Sequence, residues 1–148
     1  MERLSKFLRL SREEKSLLIQ AIILLATTRG GLRVLPFVTL RNLLTRLTRR
    51  RGGTEHRFGG AGPDRTVWAV QTASRHFPAI GTCLTQALAM HVLLARKGSQ
   101  SQLRIGVMRN SDGKFVAHAW LEKDGVIVIG AAGHKSYTPM PVLNGLEP

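Results

Sequence analysis

The stretch "GTCLTQALAMHVLLARKG", residues 81–98, decides the fold because it predicts a long helix that is apolar on nearly every side. A helix of this kind belongs in the middle of a hydrophobic core. Thr82 is suited to cap its N-terminus, and the basic residues and glycine of "RKG", residues 96–98, mark its end. Cys83, the single cysteine of the chain, therefore falls in the first helical turn.

Helical periodicity of apolar residues predicts three further helices, over residues 11–29, 32–47 and 64–76. Gly30-Gly31 is expected to end the first of them, and Pro36 indicates that the second begins near it. The glycine-rich residues 51–63 predict a linker. The sequence thus predicts an N-terminal helical segment, residues 1–55, and a core domain, residues 56–148.

Beyond the opening stretch the period changes from helical to alternating, which predicts strands over residues 102–109, 114–122 and 126–130. Asp124-Gly125, between the last two strands, is a strong signal for a two-residue hairpin turn. The expected architecture is an antiparallel β-meander packed on helices, which is an α+β fold.

The net charge of +13, from 22 basic and 9 acidic residues, favours acidic partners. No aromatic side chains are interleaved with the arginine run, residues 49–51, so a nucleic-acid partner is not predicted. The longest apolar run, residues 17–26, is much shorter than the roughly 20 residues of a bilayer span. We therefore expect no integral membrane segment.

A single cysteine excludes an internal disulfide framework, and no group of Cys and His has the spacing of metal ligands. We expect neither a metal nor a cofactor. A cytoplasmic location fits this cysteine usage.

Cys83 has two interpretations. At a helix N-terminus, unpaired N–H groups and the positive end of the helix dipole favour a thiolate, and the same N–H groups can form an oxyanion hole. The alternative is a structural role, because free cysteine is among the most buried residue types. Its place at the mouth of the helix makes Cys83 a candidate nucleophile.

A thiol nucleophile needs a base, and His118 is the candidate. His118 lies mid-strand in "AHAWLE", on the same strand face as Trp120. A strand that crosses the N-terminus of the cysteine helix would bring His118 to Cys83, and Trp120 would shield the site from water. The alternative for His118 is a histidine that is satisfied within the core.

Two glutamines and a second tryptophan complete the candidates. Gln86, about one turn beyond Cys83, can reach a substrate oxyanion. A surface or groove amide is the alternative for both Gln86 and Gln71. Trp68 is expected to pack in the core.

Three segments together, "CLTQALAMHVLLARKG", "LRIGVMR" and "FVAHAWLE", resemble the lasso-peptide biosynthesis B2 protein family. This family consists of leader peptidases with a transglutaminase-like, papain-like cysteine-protease core. The resemblance implies that Cys83 is the nucleophile and that His118 is the general base and acid. It also implies a reaction, hydrolysis of the bond between leader and core in a ribosomally made precursor peptide.

The resemblance implies partners as well. The first is the precursor peptide, and the freed core is closed into a ring by a separate cyclase. About 55 residues precede the protease-like core and are predicted to be helical, so we expect leader recognition by a separate, B1-type protein.

One departure from the family concerns the Asp that orients the catalytic histidine from the next strand. The Asp124-Gly125 turn predicts pairing of Lys123 with Val126, which would place Trp120 opposite Ile129 and His118 opposite Ala131. The expected acidic position near residues 130–132 holds only "GAA". A backbone carbonyl, Asn144 or a partner group remains to hold the His118 ring, or the site works as a dyad.

Three functions stay open at this point. The first is a cysteine peptidase that removes a leader, and the second is a transglutaminase-like acyl transferase with the same fold. The third is a non-catalytic basic module whose helices dock on a membrane or an acidic protein. The third predicts no unusual reactivity at Cys83.

Overall fold

The computed structural model describes residues 8–49 and 63–141 of the 148-residue chain. The helices are α1 (Arg12–Val34), α2 (Phe37–Arg49), α3 (Pro63–His76) and α4 (Cys83–Arg96). The strands are β1 (Gln102–Arg109), β2 (Phe115–Lys123), β3 (Val126–Ile129) and β4 (Thr138–Pro139), with a short 3₁₀ turn at His134–Ser136. The predicted α+β fold is confirmed.

The end of α1 differs from the prediction. The helix continues through Gly30-Gly31 to Val34, so the expected end at these glycines is wrong. Gly31 instead allows close packing of two helices, because a Cβ there would lie 2.7 Å from the Leu40 side chain of α2. The helix ends where Leu35 takes an extended conformation before Pro36, which disfavours the helical region for the residue ahead of it.

Within the described residues the sheet has four strands in the order β3-β2-β1-β4, and all three pairs of neighbours are antiparallel. Asp124 and Gly125 both have positive φ, 52° and 76°, as a tight hairpin turn with the strands' own twist requires. The predicted pairing of Lys123 with Val126 next to this turn is confirmed.

Farther from the turn the predicted register of β3 is wrong. Leu121, not Trp120, is opposite Ile129, because a bulge between Leu121 and Glu122 shifts the pairing. A β-bulge places two residues of one strand against one of the other and bends the strand. His118 is consequently not opposite Ala131, as a regular ladder predicted. The chain after β3 contacts His118 through the backbone carbonyl of Gly130 instead.

Helices α1, α3 and α4 pack against one another, and α4 also lies against β2. The largest fully buried apolar side chains come from helices and sheet alike: Leu25, Val70, Leu88, Met90, Leu94 and Leu121. α1 shares one hydrophobic core with α3 and α4. The predicted division between residues 1–55 and 56–148 stays a prediction, because the boundary falls outside the described residues.

Among the described helices, α1 alone has the length and apolar composition that would also suit a membrane span. The core helix of a globular protein passes the same test, and Ala21 and Leu25 of α1 are completely buried in this core. The absence of an integral membrane segment and the cytoplasmic location stay predictions.

His91 of α4 leads to a prediction about acid stability. Burial lowers the pKa of His91 from its ordinary value, and the nearby charge of Arg41 lowers it further. Below about pH 6.5, the unfolded chain takes up a proton at this position that the folded protein does not, so the free energy of unfolding falls as the pH drops.

We expect His91→Gln to lose less stability than the wild type between about pH 7 and about pH 5, since glutamine retains hydrogen bonding to the Ser101 hydroxyl without titrating. Urea unfolding across this range is the measurement, with His76→Gln, at an exposed histidine, as the matched control. An equal acid-dependent loss in His91→Gln and wild type would contradict the assignment.

Candidate active site

Cys83 is the first residue of α4, directly after the N-cap. Thr82 has extended backbone angles, and its hydroxyl accepts a hydrogen bond from the N–H of Thr85, at 3.5 Å. The N–H groups of Cys83 and Leu84 have no partner within the helix, as at every helix N-terminus. The Cys83 side chain is half-buried, with its inner side against the hydrophobic core. The predicted place of the thiol at the helix mouth is confirmed.

The loop before Cys83 is fixed by α3. A Cβ on Gly81 would lie 2.6 Å from the Cβ of Ser74 and 2.7 Å from its Cα, so only glycine allows this approach. Ser74 is itself buried and donates its hydroxyl to the carbonyl of Val70. The end of α3 thus fixes the position of the backbone two residues before Cys83.

α4 fixes the same loop from the other side. The hydroxyl of Thr85 donates to the carbonyl of Ile80 at 2.6 Å, and the side-chain amide of Gln86 donates to the carbonyl of Gly81 at 2.7 Å. Gln86 therefore holds the loop in place, and one of its amide hydrogens is already engaged. Its predicted contact with substrate stays a prediction.

His118 of β2 is anchored by the backbone. Its Nε2 lies 2.8 Å from the carbonyl oxygen of Gly130, the residue after β3. A carbonyl oxygen only accepts, so Nε2 must carry the proton, and in the neutral ring Nδ1 holds the free electron pair. Nδ1 is thereby the nitrogen that can take a proton from a thiol.

Gly130 lies at the position where the family has an acidic residue and this sequence has none. It has φ +84°, and a Cβ there would lie 2.8 Å from the carbonyl oxygen of Ala119 and 2.9 Å from the Cα of Trp120. The backbone at the bulged end of β3 therefore lies directly against β2. Of the alternatives for holding His118, the structure provides the backbone carbonyl, and Asn144 lies outside the described residues.

The His118 ring packs beside two aromatic rings. Trp120 stacks beside it with a centroid distance of 6.1 Å, and Tyr137 lies on it at 5.1 Å. Trp120 is 2% exposed, and its indole N–H donates to Glu122, which also pairs with Arg104. The predicted shielding position of Trp120 beside His118 agrees with this packing, while its contact with substrate stays a prediction.

Tyr137 was not among the candidates from the sequence. It precedes β4, which pairs with β1, and it packs where a Cβ on Gly106 would be, 2.8 Å from the Tyr137 Cβ. Gly106 is opposite His118 in the sheet. A glycine in the middle of an otherwise regular strand was the available signal, since it marks the close approach of another group.

The structure brings the elements of Cys83 and His118 together without joining the two side chains. α4 packs on β2, where Ala119 and Leu121 face the helical core, and alternation places His118 on the other side of the strand. Within residues 8–49 and 63–141, no hydrogen bond links the thiol to the ring. Proton transfer between them requires a rearrangement that brings Nδ1 of His118 to Sγ of Cys83, so the pairing stays a prediction.

Gly130 provides a direct test of the anchor on His118. We expect Gly130→Ala to lower activity about tenfold or more, because the new Cβ must displace the strand end that carries the carbonyl. Gly113→Ala is the matched control, with similar backbone strain at φ +76° but no atom within 4 Å of the new Cβ. Equal activity losses in two folded variants would contradict a special role for the Gly130 carbonyl.

The part of the chain that forms this helix and sheet matches a known protein family. A family model described as the Transglutaminase-like superfamily matches residues 22–142, most of the chain. The chain belongs to this superfamily. Members of the transglutaminase-like superfamily are usually enzymes, with cysteine-protease or acyl-transferase activity. No curated protein and no solved structure matches the chain.

Membership agrees with the transglutaminase-like part of the resemblance noted from the sequence. It does not single out the lasso B2 family. Membership of the superfamily thus supports acyl transfer through a cysteine as the class of chemistry, and it leaves both the acceptor and the substrate to be proposed.

Proposed function

We propose that this transglutaminase-like protein is a cysteine peptidase that removes the leader from a ribosomally synthesised lasso precursor peptide before macrocyclisation. The observation that carries the proposal is the hydrogen bond between His118 Nε2 and the Gly130 carbonyl, which leaves Nδ1 as the basic nitrogen. The half-buried Cys83 at the N-terminus of α4 supplies the nucleophile. The choice of a lasso precursor rests on the resemblance of the Cys83 and His118 segments to the B2 family.

Acylation begins when Nδ1 of His118 takes the thiol proton and Cys83 Sγ attacks the scissile carbonyl carbon. The N–H groups at the start of α4 stabilise the oxyanion that forms. The C–N bond then breaks, the imidazolium gives its proton to the leaving amine, and the acyl group remains as a thioester on Cys83.

Deacylation completes the cycle with water as acceptor. His118 takes a proton from the water while its oxygen attacks the thioester carbonyl. The C–S bond breaks, the released carboxylic acid loses a proton to the solvent, and the proton on His118 returns to the thiolate. The products are the leader with a free carboxylate and the core with a free amine, which a separate lasso cyclase then uses.

A separate B1-type protein presents the leader in this proposal. The net charge of +13 favours encounter with an acidic leader or an acidic complex of leader and recognition protein. Salt should therefore slow cleavage through the encounter step, because screening weakens long-range attraction.

The second candidate function is acyl transfer to an amine, and membership of the superfamily favours it as a class. The two are separated by mass spectrometry of the products formed from a lasso precursor and its B1-type protein. Hydrolysis adds water across the scissile bond, whereas transfer joins the acyl fragment to an added amine. Exclusive transfer products would overturn the peptidase proposal while retaining Cys83 as the nucleophile.

The non-catalytic basic module is the third candidate. It predicts that Cys83 reacts with iodoacetamide no faster than a free cysteine at neutral pH, with no dependence on His118. The peptidase proposal predicts faster, His118-dependent alkylation.

A further inference from the structure

A groove of about 340 Å³ lies between α3 and the edge strand β3. Asp64, Val67, Trp68 and Gln71 form its helical wall, and residues 126–128 of β3 form the other. Trp68, expected in the core, is 37% exposed, and Val126 is 65% exposed. The expectation that Trp68 packs in the core is therefore wrong, because its side chain is exposed and lines this groove.

Both walls of the groove lead to the candidate active site. α3 ends against the loop before Cys83, through the contact of Ser74 with Gly81. β3 ends one residue before Gly130, whose carbonyl holds His118. A chain in the groove is therefore bounded by the two elements that position the proposed nucleophile and base.

β3 also offers a backbone edge. It has β2 on one side and is one of the two outer strands of the described sheet. An outer strand presents unpaired N–H and C=O groups, and extended peptides bind to such edges as an added strand. An extended occupant matches these groups better than a helix does.

Charge specifies one feature of the occupant. Among the described residues that line the groove, Asp64 is the charged one, in a chain with an excess of basic residues. A carboxylate here is complementary to a basic side chain, and the exposed Trp68 and Val126 are complementary to an apolar one.

We propose that the groove between α3 and β3 binds the peptide substrate as an added strand, with a basic residue beside Asp64 and an apolar residue against Trp68. This substrate class rests on the proposed peptidase function. Ten residues of helix separate Asp64 from Ser74, about 15 Å. The basic residue therefore lies at least about four to five extended residues from the scissile bond.

The test uses two N-acetylated pentapeptides that carry a vinyl sulfone at the C-terminus. The vinyl sulfone reacts covalently with the Cys83 thiol. The first residue is arginine in one probe and glutamate in the other. The arginine probe labels wild-type protein about threefold to fivefold faster than the glutamate probe, the size expected for one exposed ion pair. Asp64→Asn removes this preference, and Asp64→Lys reverses it. Asp112→Asn, in an exposed turn away from the groove, retains it.

Trp68→Ala lowers labelling by both probes about tenfold, as loss of an aromatic anchor does. Phe115→Ala, which removes a 73% exposed ring far from the groove, leaves labelling unchanged. Iodoacetamide, which does not occupy the groove, labels all these variants at rates within about twofold of the wild type. An unchanged probe preference in Asp64→Asn, or an equal loss with iodoacetamide in Trp68→Ala, overturns the proposal.

A non-reactive probe separates failure of the groove from failure of the peptidase. The arginine peptide with an amide in place of the vinyl sulfone is titrated by calorimetry into full-length protein. Saturable binding that Trp68→Ala abolishes supports the groove even when Cys83 proves unreactive. No binding, in a protein whose alkylation depends on His118, overturns the groove and leaves the peptidase standing. A dimer that Val126→Asp converts to monomer also overturns it, because a second copy is then the occupant.

Discussion

Cys83→Ala abolishes leader removal, with a loss of about 10⁴-fold or more in kcat/KM. The nucleophile that forms the thioester is absent, and water alone does not replace it at a comparable rate. The measurement is cleavage of a lasso precursor in the presence of its B1-type protein, followed by mass spectrometry. The structure predicts little change in the fold, because Cys83 is only half-buried and alanine is the best helix former.

Thermal unfolding of Cys83→Ala is the necessary companion measurement. A folded variant without activity supports the assignment. Leu84→Met is a matched control one residue along α4, where a partly buried apolar side chain changes without loss of the thiol. A fully active Cys83→Ala variant would remove the chemical basis of the proposed function.

His118→Gln has the second-largest expected effect, a loss of about 10²–10⁴-fold in kcat. Glutamine can still donate a hydrogen bond to the Gly130 carbonyl and fills much of the space beside Trp120 and Tyr137. What it lacks is a nitrogen that takes and returns a proton, so both acylation and deacylation slow down.

The control for His118→Gln is His76→Gln, at an exposed histidine that ends α3. This variant should retain activity within about twofold, because no step of the mechanism uses it. An equal loss in both variants would mean that general effects on the fold, and not proton transfer at His118, lowered the activity.

The predictable part of the fold is local. The stretch around α4 carries its own N-cap, basic C-terminus and all-round apolar surface, and these were sufficient to place Cys83 in the first turn. The Asp124-Gly125 turn likewise carries its conformation in two residues. Signals of this kind do not depend on what packs against them.

The unpredicted parts depend on contacts between distant segments. Gly30-Gly31 has the sequence of a helix end, but Gly31 serves the approach of α2, which no local pattern shows. The bulge at Leu121 shifts one strand against another, and the carbonyl of Gly130 belongs to the backbone, which every residue carries. The groove beside Trp68 is visible only once α3 and β3 are placed.

The rate of Cys83 alkylation by iodoacetamide as a function of pH tests the central claim most directly, because it reports on the thiol without needing a substrate. We predict that wild-type protein reacts about tenfold or more faster than free cysteine at neutral pH, and that His118→Gln loses most of this difference. Identical rates in the wild type and His118→Gln would contradict the pairing of Cys83 with His118.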